Sequence, residues 1–374
     1  MRLNKRKLAV PVQEPLGLAV HFLYKLSSGL KIGSKGVMFM NLRRTLGACI
    51  ALFIILAAAG HAAAQNPGYR ISAPYAYKNL TIFLIHGKNE SSKTNVLTLQ
   101  EAMEKKILQV YETSDVNELA VENISKQFDV FIQSGDIVKG GKQDRVLSIS
   151  IIIPARSGRV LIEAFCVESG RWDKRKNEDA GQFSSSNDRI VSKELKLAAN
   201  GARSQQEVWA KVSEAQANLS RVVGGSVADT NSRTSLQLSL ENGKVAATAD
   251  EYIRKLATLI DGKSDVIGYA FAVNGNINSA DVYISNSLFK KLWPRMLKAA
   301  AVEAVSISHV RASSAPVRPD SVKAFLSDSD AGKAAERSAS GGAVVVTRDQ
   351  KDNVVYEARD KQKLIVHRSY VKKQ

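Results

Sequence analysis

RVLSISIIIPARSGRVLIEAFCVE, residues 145–168, is two apolar runs separated by a proline- and glycine-containing break at 154–159. Apolar side chains alternating with small or polar ones, with a turn signal between the runs, predict an antiparallel hairpin of strands 145–153 and 160–168. In the simplest register Ile153 faces Val160, Ile149 faces Ala164 and Arg145 faces Glu168. A slip of two leaves the same ends together. Runs of the same kind lie at 80–86, 108–112, 119–123 and 128–132, and a capping box at 98–101 opens a short helix among them.

Downstream the periodicity changes. Residues 184–222 read as a helical linker, with Ser204-Gln205-Gln206-Glu207 as a second capping box and Val208, Val212, Ala215 and Leu219 at helical spacing. The small, polar stretch 224–231 is a linker, and a third capping box at 248–251 predicts a helix stopped at Gly262. Strands at 266–273 and 280–284 flank the hairpin signal Asn274-Gly275-Asn276. A helix with Phe289, Leu292, Met296 and Ala300 on one side follows, and its interior Pro294 should kink it. Residues 327–342 read as a mobile loop, and 344–346, 354–357 and 364–367 as closing strands. Strands and helices do not alternate regularly. The expectation is therefore α+β, with a largely antiparallel, barrel- or sandwich-like β core and several packed helices.

The expected organisation is a leader at 1–37, a signal peptide at 38–64, an α+β domain at 65–326 and a loop with closing strands at 327–374. The domain divides into a β-rich part at 70–183, the helical linker at 184–222 and an αββα part at 231–310. With 374 residues, 44% hydrophobic and 24% charged, the chain is not a disordered polymer. Its two cysteines, Cys49 and Cys166, exclude a disulfide scaffold. Residues 1–64 carry nine Lys/Arg against one acidic residue, leaving +9 of the formal +17 to the remainder. Arg43-Arg44, the apolar run 46–59 and Ala62-Ala63-Ala64 have the order of a secretory signal cleaved after Ala64. That order predicts a periplasmic or secreted product; the alternative is an uncleaved membrane anchor over 46–64. Cys49 stands too early in the apolar run to be a lipid attachment site. Met38 or Met40 is a natural start, so 1–37 reads as a mis-assigned translation start, with a real but unusual leader as the alternative.

Two polar words flank the predicted hairpin, Gly140-Gly141-Lys142-Gln143-Asp144-Arg145 and Cys166-Val167-Glu168-Ser169-Gly170-Arg171-Trp172. Strand pairing would gather them at one open end. Arg145 could pair with Glu168, while Lys142, Gln143 and Arg171 offer donors to an anionic or hydroxyl-rich ligand. Trp172 offers a stacking face, Gly140-Gly141 permits close backbone approach or a bulge, and Cys166 shares a strand face with Glu168. The alternative is a structural Arg–Glu pair with a tryptophan plug.

These words, KGGKQDR (139–145) and FCVESGRW (165–172), together with VNELAVEN (116–123), QQEVW (205–209) and GYAFAVNGNINSADVY (268–283), resemble the ARG and Rhodanese-Phosphatase-superfamily-associated protein domain over roughly residues 70–310. The resemblance implies a β-rich α+β module. Its bacterial genes neighbour ADP-ribosylglycohydrolases, which implies a link to ADP-ribose or NAD chemistry. The site it implies is Gly140, Gly141, Lys142, Gln143, Arg145, Cys166, Glu168, Arg171 and Trp172.

The resulting expectation is an exported domain that binds a small phosphorylated or polyhydroxylated ligand. The alternatives are an enzyme acting on an ADP-ribose-like or glycosyl substrate, with Glu168 as acid/base, and a non-catalytic envelope scaffold. No cofactor or metal is expected. His86, His309 and His367 lack ligand spacing and read singly as structural or exposed. Glycine spacing around Lys142 departs from a phosphate-binding loop, no G-x-S-x-G occurs, and Glu163 and Glu168 point to opposite faces of one strand. The basic runs 171–176 and Lys290-Lys291 read as solvated faces. The remaining +9 suits an anionic envelope surface better than nucleic acid.

Overall fold

The computed structural model describes residues 68–374, except for 90–94, 114, 176–177, 180, 191, 309, 311–314 and 340–341. The expected leader, signal peptide or anchor, and His309, lie outside the described residues.

Two short strands, β1 (Arg70–Ile71) and β2 (Tyr75–Tyr77), precede β3 (Leu80–His86), which has the bounds its sequence predicts. On β3, Leu80, Ile82 and Leu84 enter one core, while Phe83 and Ile85 enter another. This is the two-residue period of a sheet covered on both faces. β3 pairs with β13 (Val266–Val273), which pairs with β14 (Asn276–Tyr283) across Asn274-Gly275, both at positive φ as a type I′ turn requires. The ladder continues through β18 (Ile365–Lys372), β17 (Asn353–Arg359), β16 (Val344–Asp349) and β15 (Lys333–Ser338), making one nine-stranded antiparallel sheet. The first and last strands of the described chain therefore share one sheet.

One face of this sheet packs on α3 (Gln205–Val223), α5 (Gly243–Leu256) and α6 (Asn286–Ser306). The predicted stripe Val208, Val212, Ala215 and Leu219 is the buried side of α3. Buried residues lie all around α6, which continues through Pro294, as expected of a helix inside a core. The opposite face is covered by α7 (Pro319–Asp330) through Val322, Phe325 and Leu326.

The β-rich segment forms two further sheets. In one, β12 (Phe183–Arg189), β8 (Asp136–Gly140), β9 (Arg145–Leu147), β11 (Arg159–Cys166), β6 (Glu118–Asn123) and β5 (Leu108–Glu112) lie in that order. In the other, β10 (Ile151–Ile153) and β4 (Val96–Thr98) flank β7 (Asp129–Ile132). Their apolar sides share a separate core with α1 (Leu99–Glu104), whose Thr98 capping box makes both reciprocal bonds.

The predicted hairpin is thus divided. Its first run breaks at 148–150, and Ile151–Ile153 joins β7. Residues 159–163 of β11 pair with β6, and only 164–166 pair with β9. The register is slipped by two, so Arg145 faces Cys166 rather than Glu168. Alternation dictates which face a side chain takes, but several equally apolar strands compete to be its neighbour.

Three other boundaries differ. Residues 183–189 form β12 rather than helix; the helical part of 184–222 is α2 (Lys193–Leu197), a π-helical turn at 198–202, and α3. Helix α5 begins at Gly243, capped by Asn242; Thr248 lies inside it and donates its hydroxyl to Lys244 O. The segment 327–342 contains the end of α7 and all of β15, whose edge groups are taken by β16. Between α3 and α5 lies α4 (Leu236–Leu240). No helix among the described residues is long and apolar enough to cross a membrane.

Candidate functional site

The two polar words do meet. Gly140 and Gly141, at φ of +117° and +55°, turn the chain from β8 into β9, and a Cβ on Gly141 would strike the Phe183 ring. The turn returns Asp144 so that its carboxylate accepts the Gly140 N–H (2.9 Å). Asp144 N–H donates to Glu168 Oε2 (3.2 Å), and the Gln143 amide donates to Glu168 O (2.8 Å). Downstream, the Gln205 side chain at the start of α3 exchanges two 2.8 Å hydrogen bonds with the main chain of Cys166, extending β11 where its neighbour ends.

The ion pairs are not those the sequence predicts. Arg145 is fully buried, pairs with Glu112 (3.3 Å) and donates to Val116 O. Glu168, also fully buried, receives Arg171 through both oxygens, at 2.6 Å each. Arg175, within a run that reads as solvated, is buried and grips Asp144 with two 2.7 Å bonds. Burial alone would raise Glu168, but Arg171 and Ser232 more than offset it and hold the carboxyl below its ordinary range. An ionised carboxylate with its oxygens occupied is not a general acid. Burial pushes the Cys166 thiol up to about 11, so it is neither thiolate nor nucleophile at neutral pH. Lys142 and half-exposed Trp172 remain outward, with Lys142 Nζ 5.5 Å from the ring centroid.

A second polar group lies elsewhere, along β14 and β18. Tyr283 faces His367 and Asp281 faces Ser369 in that ladder, which places Asp281 diagonally beside His367 on one face. His367 Nε2 meets Asp281 Oδ1 at 3.1 Å, and Nδ1 meets Ser150 Oγ at 2.8 Å. Ser150 stands in the break between β9 and β10, and its Oγ also accepts the Ser134 N–H at 3.0 Å. One proton arrangement satisfies the two shorter contacts and leaves only the 3.5 Å approach of the Gln133 amide nitrogen to Nε2 without a bond. His367 donates from Nε2 to the carboxylate, and Ser150 donates its hydroxyl to Nδ1.

Burial lowers the His367 pKa, with Asp281 opposing, so the imidazole is neutral at pH 7. Burial would raise Asp281, but Lys196 on α2, at 3.7 Å, then His367 and Arg189 hold it far below the usual carboxylate range.

Ser150 and His367 line a cavity of about 230 Å³. Its floor follows one face of the large sheet, through Arg337, Thr347, Tyr356 and Ser369, and the π-helical turn brings Asn200 and Arg203 over it. Arg203 and Arg337 hold Glu163 between them at 2.8 and 2.6 Å, with about 45% and 33% of their side chains exposed. The cavity opens to water there.

Residues 68–371 match the family model described as the ARG and Rhodanese-Phosphatase-superfamily-associated Protein domain. The chain belongs to that family. No curated protein and no solved structure matches it. The family match runs through β18 and so takes in the closing strands that carry His367. In this member of the ARG and Rhodanese-Phosphatase-superfamily-associated family, the words GGKQDR and CVESGRW interlock around Glu168 and Asp144. The Ser150–His367–Asp281 chain is absent from the sequence-predicted site. Its one sequence signal is polar residues at alternate positions of apolar strands, Ser279 and Asp281 on β14 and His367 and Ser369 on β18. Among the described residues, no group of three or more His, Cys, Asp or Glu is placed to hold a metal ion.

Another cavity, of about 320 Å³, is bordered by Asn278 and by Glu303 of α6. Glu303 accepts from Asn278 Nδ2 (2.7 Å) and Lys193 N (3.2 Å) through Oε1, while its Oε2 is buried without a hydrogen bond. Burial, reinforced by the charge of Glu194, raises its pKa to about 7. The folded state therefore holds a proton that the unfolded chain releases near its ordinary value. Stability should fall as pH rises from about 4.5 to about 7 and then level off. Glu303→Gln should abolish that slope and raise stability at pH 8 by about 3 kcal/mol, with no gain at pH 4. Urea melts across that range measure it.

Proposed function

We propose that this protein binds a small polyhydroxylated compound in the cavity above Ser150 and His367. The observation that carries this reading is the lining: hydroxyls of Ser148, Ser150, Thr347, Tyr356 and Ser369 around a neutral imidazole, with apolar Val345 and Ala358 between them. Uncharged donor–acceptor groups in that density suit the hydroxyls of a sugar-like ring, each of which both donates and accepts. At the mouth the guanidiniums of Arg203 and Arg337 share the Glu163 carboxylate, while Glu336 and Glu357, which also border the cavity, are paired with Arg359 and Arg368. The two mouth arginines are therefore the donors open to an anionic substituent such as a phosphate. The reading as an exported protein rests on the basic, apolar and small-residue order of residues 43–64.

A second reading keeps the outward edge of the polar words. Half-exposed Trp172, flanked by Lys142, is a stacking surface suited to a nucleobase such as that of ADP-ribose.

One thermal-shift series tests both, with ribose, glucose, ribose 5-phosphate and ADP-ribose as probes. Binding at 100 times the Kd stabilises the folded state by about 2.7 kcal/mol, a shift of several degrees. Arg203→Ala with Arg337→Ala should abolish the extra response to ribose 5-phosphate and keep that to ribose. A response to ADP-ribose alone, lost in Trp172→Ala, would move the site to the second surface. No shift with any probe would overturn both readings.

A further inference from the structure

We infer that Ser150 is a nucleophile, activated by His367 and Asp281, and that the cavity cleaves O-acyl esters of small hydroxyl-rich compounds. The inference rests on the reading of this cavity as a binding site and adds a reaction to it.

Three geometric facts carry it. The 2.8 Å contact joins the serine hydroxyl to an imidazole nitrogen, and the 3.1 Å contact joins the other nitrogen to a buried carboxylate. Nucleophile, base and orienting acid are thus in hydrogen-bond reach in sequence. The Ser134 N–H at 3.0 Å fixes the Oγ rotamer, so the hydroxyl proton is directed at Nδ1. Ser150 and His367 both border the cavity, whereas Asp281 lies behind the imidazole and is not among the residues that border it. The ring is used in the opposite sense to the familiar serine-hydrolase triad, with Nδ1 as base and Nε2 held by the carboxylate. Imidazole relays a proton in either direction, because protonation of one nitrogen is stabilised by a carboxylate on the other.

The step balances without a cofactor. Ser150 Oγ forms a bond to the acyl carbon as its proton passes to His367 Nδ1. The ester C–O bond breaks, and the same proton goes to the departing alkoxide, releasing the polyhydroxylated alcohol. Water then attacks the acyl-serine, gives its proton to Nδ1, and Ser150 recovers the proton as the carboxylic acid leaves. Asn200 lines the same cavity and is anchored through Oδ1 by Ser134 Oγ at 2.8 Å, so its amide N–H pair is the donor assigned to the carbonyl oxygen. Arg203 and Arg337 at the mouth admit acyl compounds that also bear an anionic group.

The test uses the whole protein with a fluorophosphonate probe and with p-nitrophenyl acetate. One phosphonyl adduct on the peptide holding Ser150 is expected, with release of p-nitrophenol. Ser150→Ala should lose the adduct and at least 100-fold of the hydrolysis, His367→Gln should lose hydrolysis comparably, and Ser329→Ala, which changes a buried serine on α7, should lose neither. Melting curves establish that each variant is folded; if Ser150→Ala unfolds, adduct mapping on the unmodified protein decides alone. No adduct, or an adduct on another residue, overturns the nucleophile. If the sugar probes still raise the melting temperature, binding stands without the reaction. If they do not, the binding reading fails separately.

Discussion

Asp144→Asn is expected to destabilise the protein by about 3–5 kcal/mol, a large part of the 5–15 kcal/mol that holds a typical domain folded. Asp144 is fully buried and accepts four hydrogen bonds, from Gly140 N, Ser235 Oγ and both terminal nitrogens of Arg175. Asparagine keeps the shape but turns one acceptor into a donor against a guanidinium that cannot lose its proton. Arg175 would keep Glu178 at 2.8 Å, but that carboxylate is about one-third exposed. Arg175→Met should cost less in acid. The carboxyl left behind is already raised by burial and can take a proton, so the penalty of Arg175→Met shrinks as pH falls while that of Asp144→Asn does not. Denaturant melts at pH 5 and 8 measure both. A loss below 1 kcal/mol for Asp144→Asn would show that these words do not lock the fold.

Lys196→Met should cost about 3–5 kcal/mol at pH 8 for a related reason. Lys196 is the largest of the influences holding Asp281 ionised, and its ammonium also donates to Ser279 Oγ at 3.1 Å. Without it the Asp281–His367 pair should take up one proton. Lys196 also depresses His367, so the imidazole becomes easier to protonate as the carboxylate becomes harder to keep charged. The folded variant then binds a proton that the folded parent does not. Its deficit against the parent should narrow as pH falls from 8 towards 5. Titration of the His367 ring by NMR should show its pKa raised, and an unchanged ring pKa would remove Lys196 from the network. Because a protonated His367 cannot accept the Ser150 hydroxyl, the same variant should label with fluorophosphonate more slowly near neutral pH.

Much of the scaffold is legible locally. The limits of β3 and β5, the Thr98 cap, the buried stripe of α3 and the Asn274-Gly275 turn follow from patterns a few residues long, whose energies are settled by neighbours in the chain. Reading fails where two local signals compete. Thr248 to Glu251 has the letters of a helix start, yet Asn242 caps six residues earlier, where its side chain accepts the Lys244 N–H, Val245 and Ala249 bury on one side, and Lys244, Ala246 and Ala247 are good helix formers. Residues 333–338 look like a loop because their side chains are small or charged and exposed, but an edge strand needs only a partner for its backbone.

The candidate sites divide in the same way. Meeting of the two polar words was readable, because one turn and one short ladder bring them together and a register slip of two does not separate them. Which carboxylate each arginine takes was not, since the sequence spreads three carboxylates, Glu112, Glu168 and Asp144, and three guanidiniums, Arg145, Arg171 and Arg175, over separate stretches, and only their burial together pairs each with a counter-charge.

Sequence alone determined the strand-rich α+β character, the antiparallel pairing and the family words, because hydrophobic period and turn chemistry act over a handful of residues. Only the tertiary structure decided that a serine in a broken strand, a histidine 217 positions later and an aspartate 86 positions before that histidine form one hydrogen-bonded chain. Those three are joined by the order of strands in the nine-stranded sheet and by the seating of the break between β9 and β10 against it, and both are set by competition among long-range contacts rather than by any single stretch of the chain.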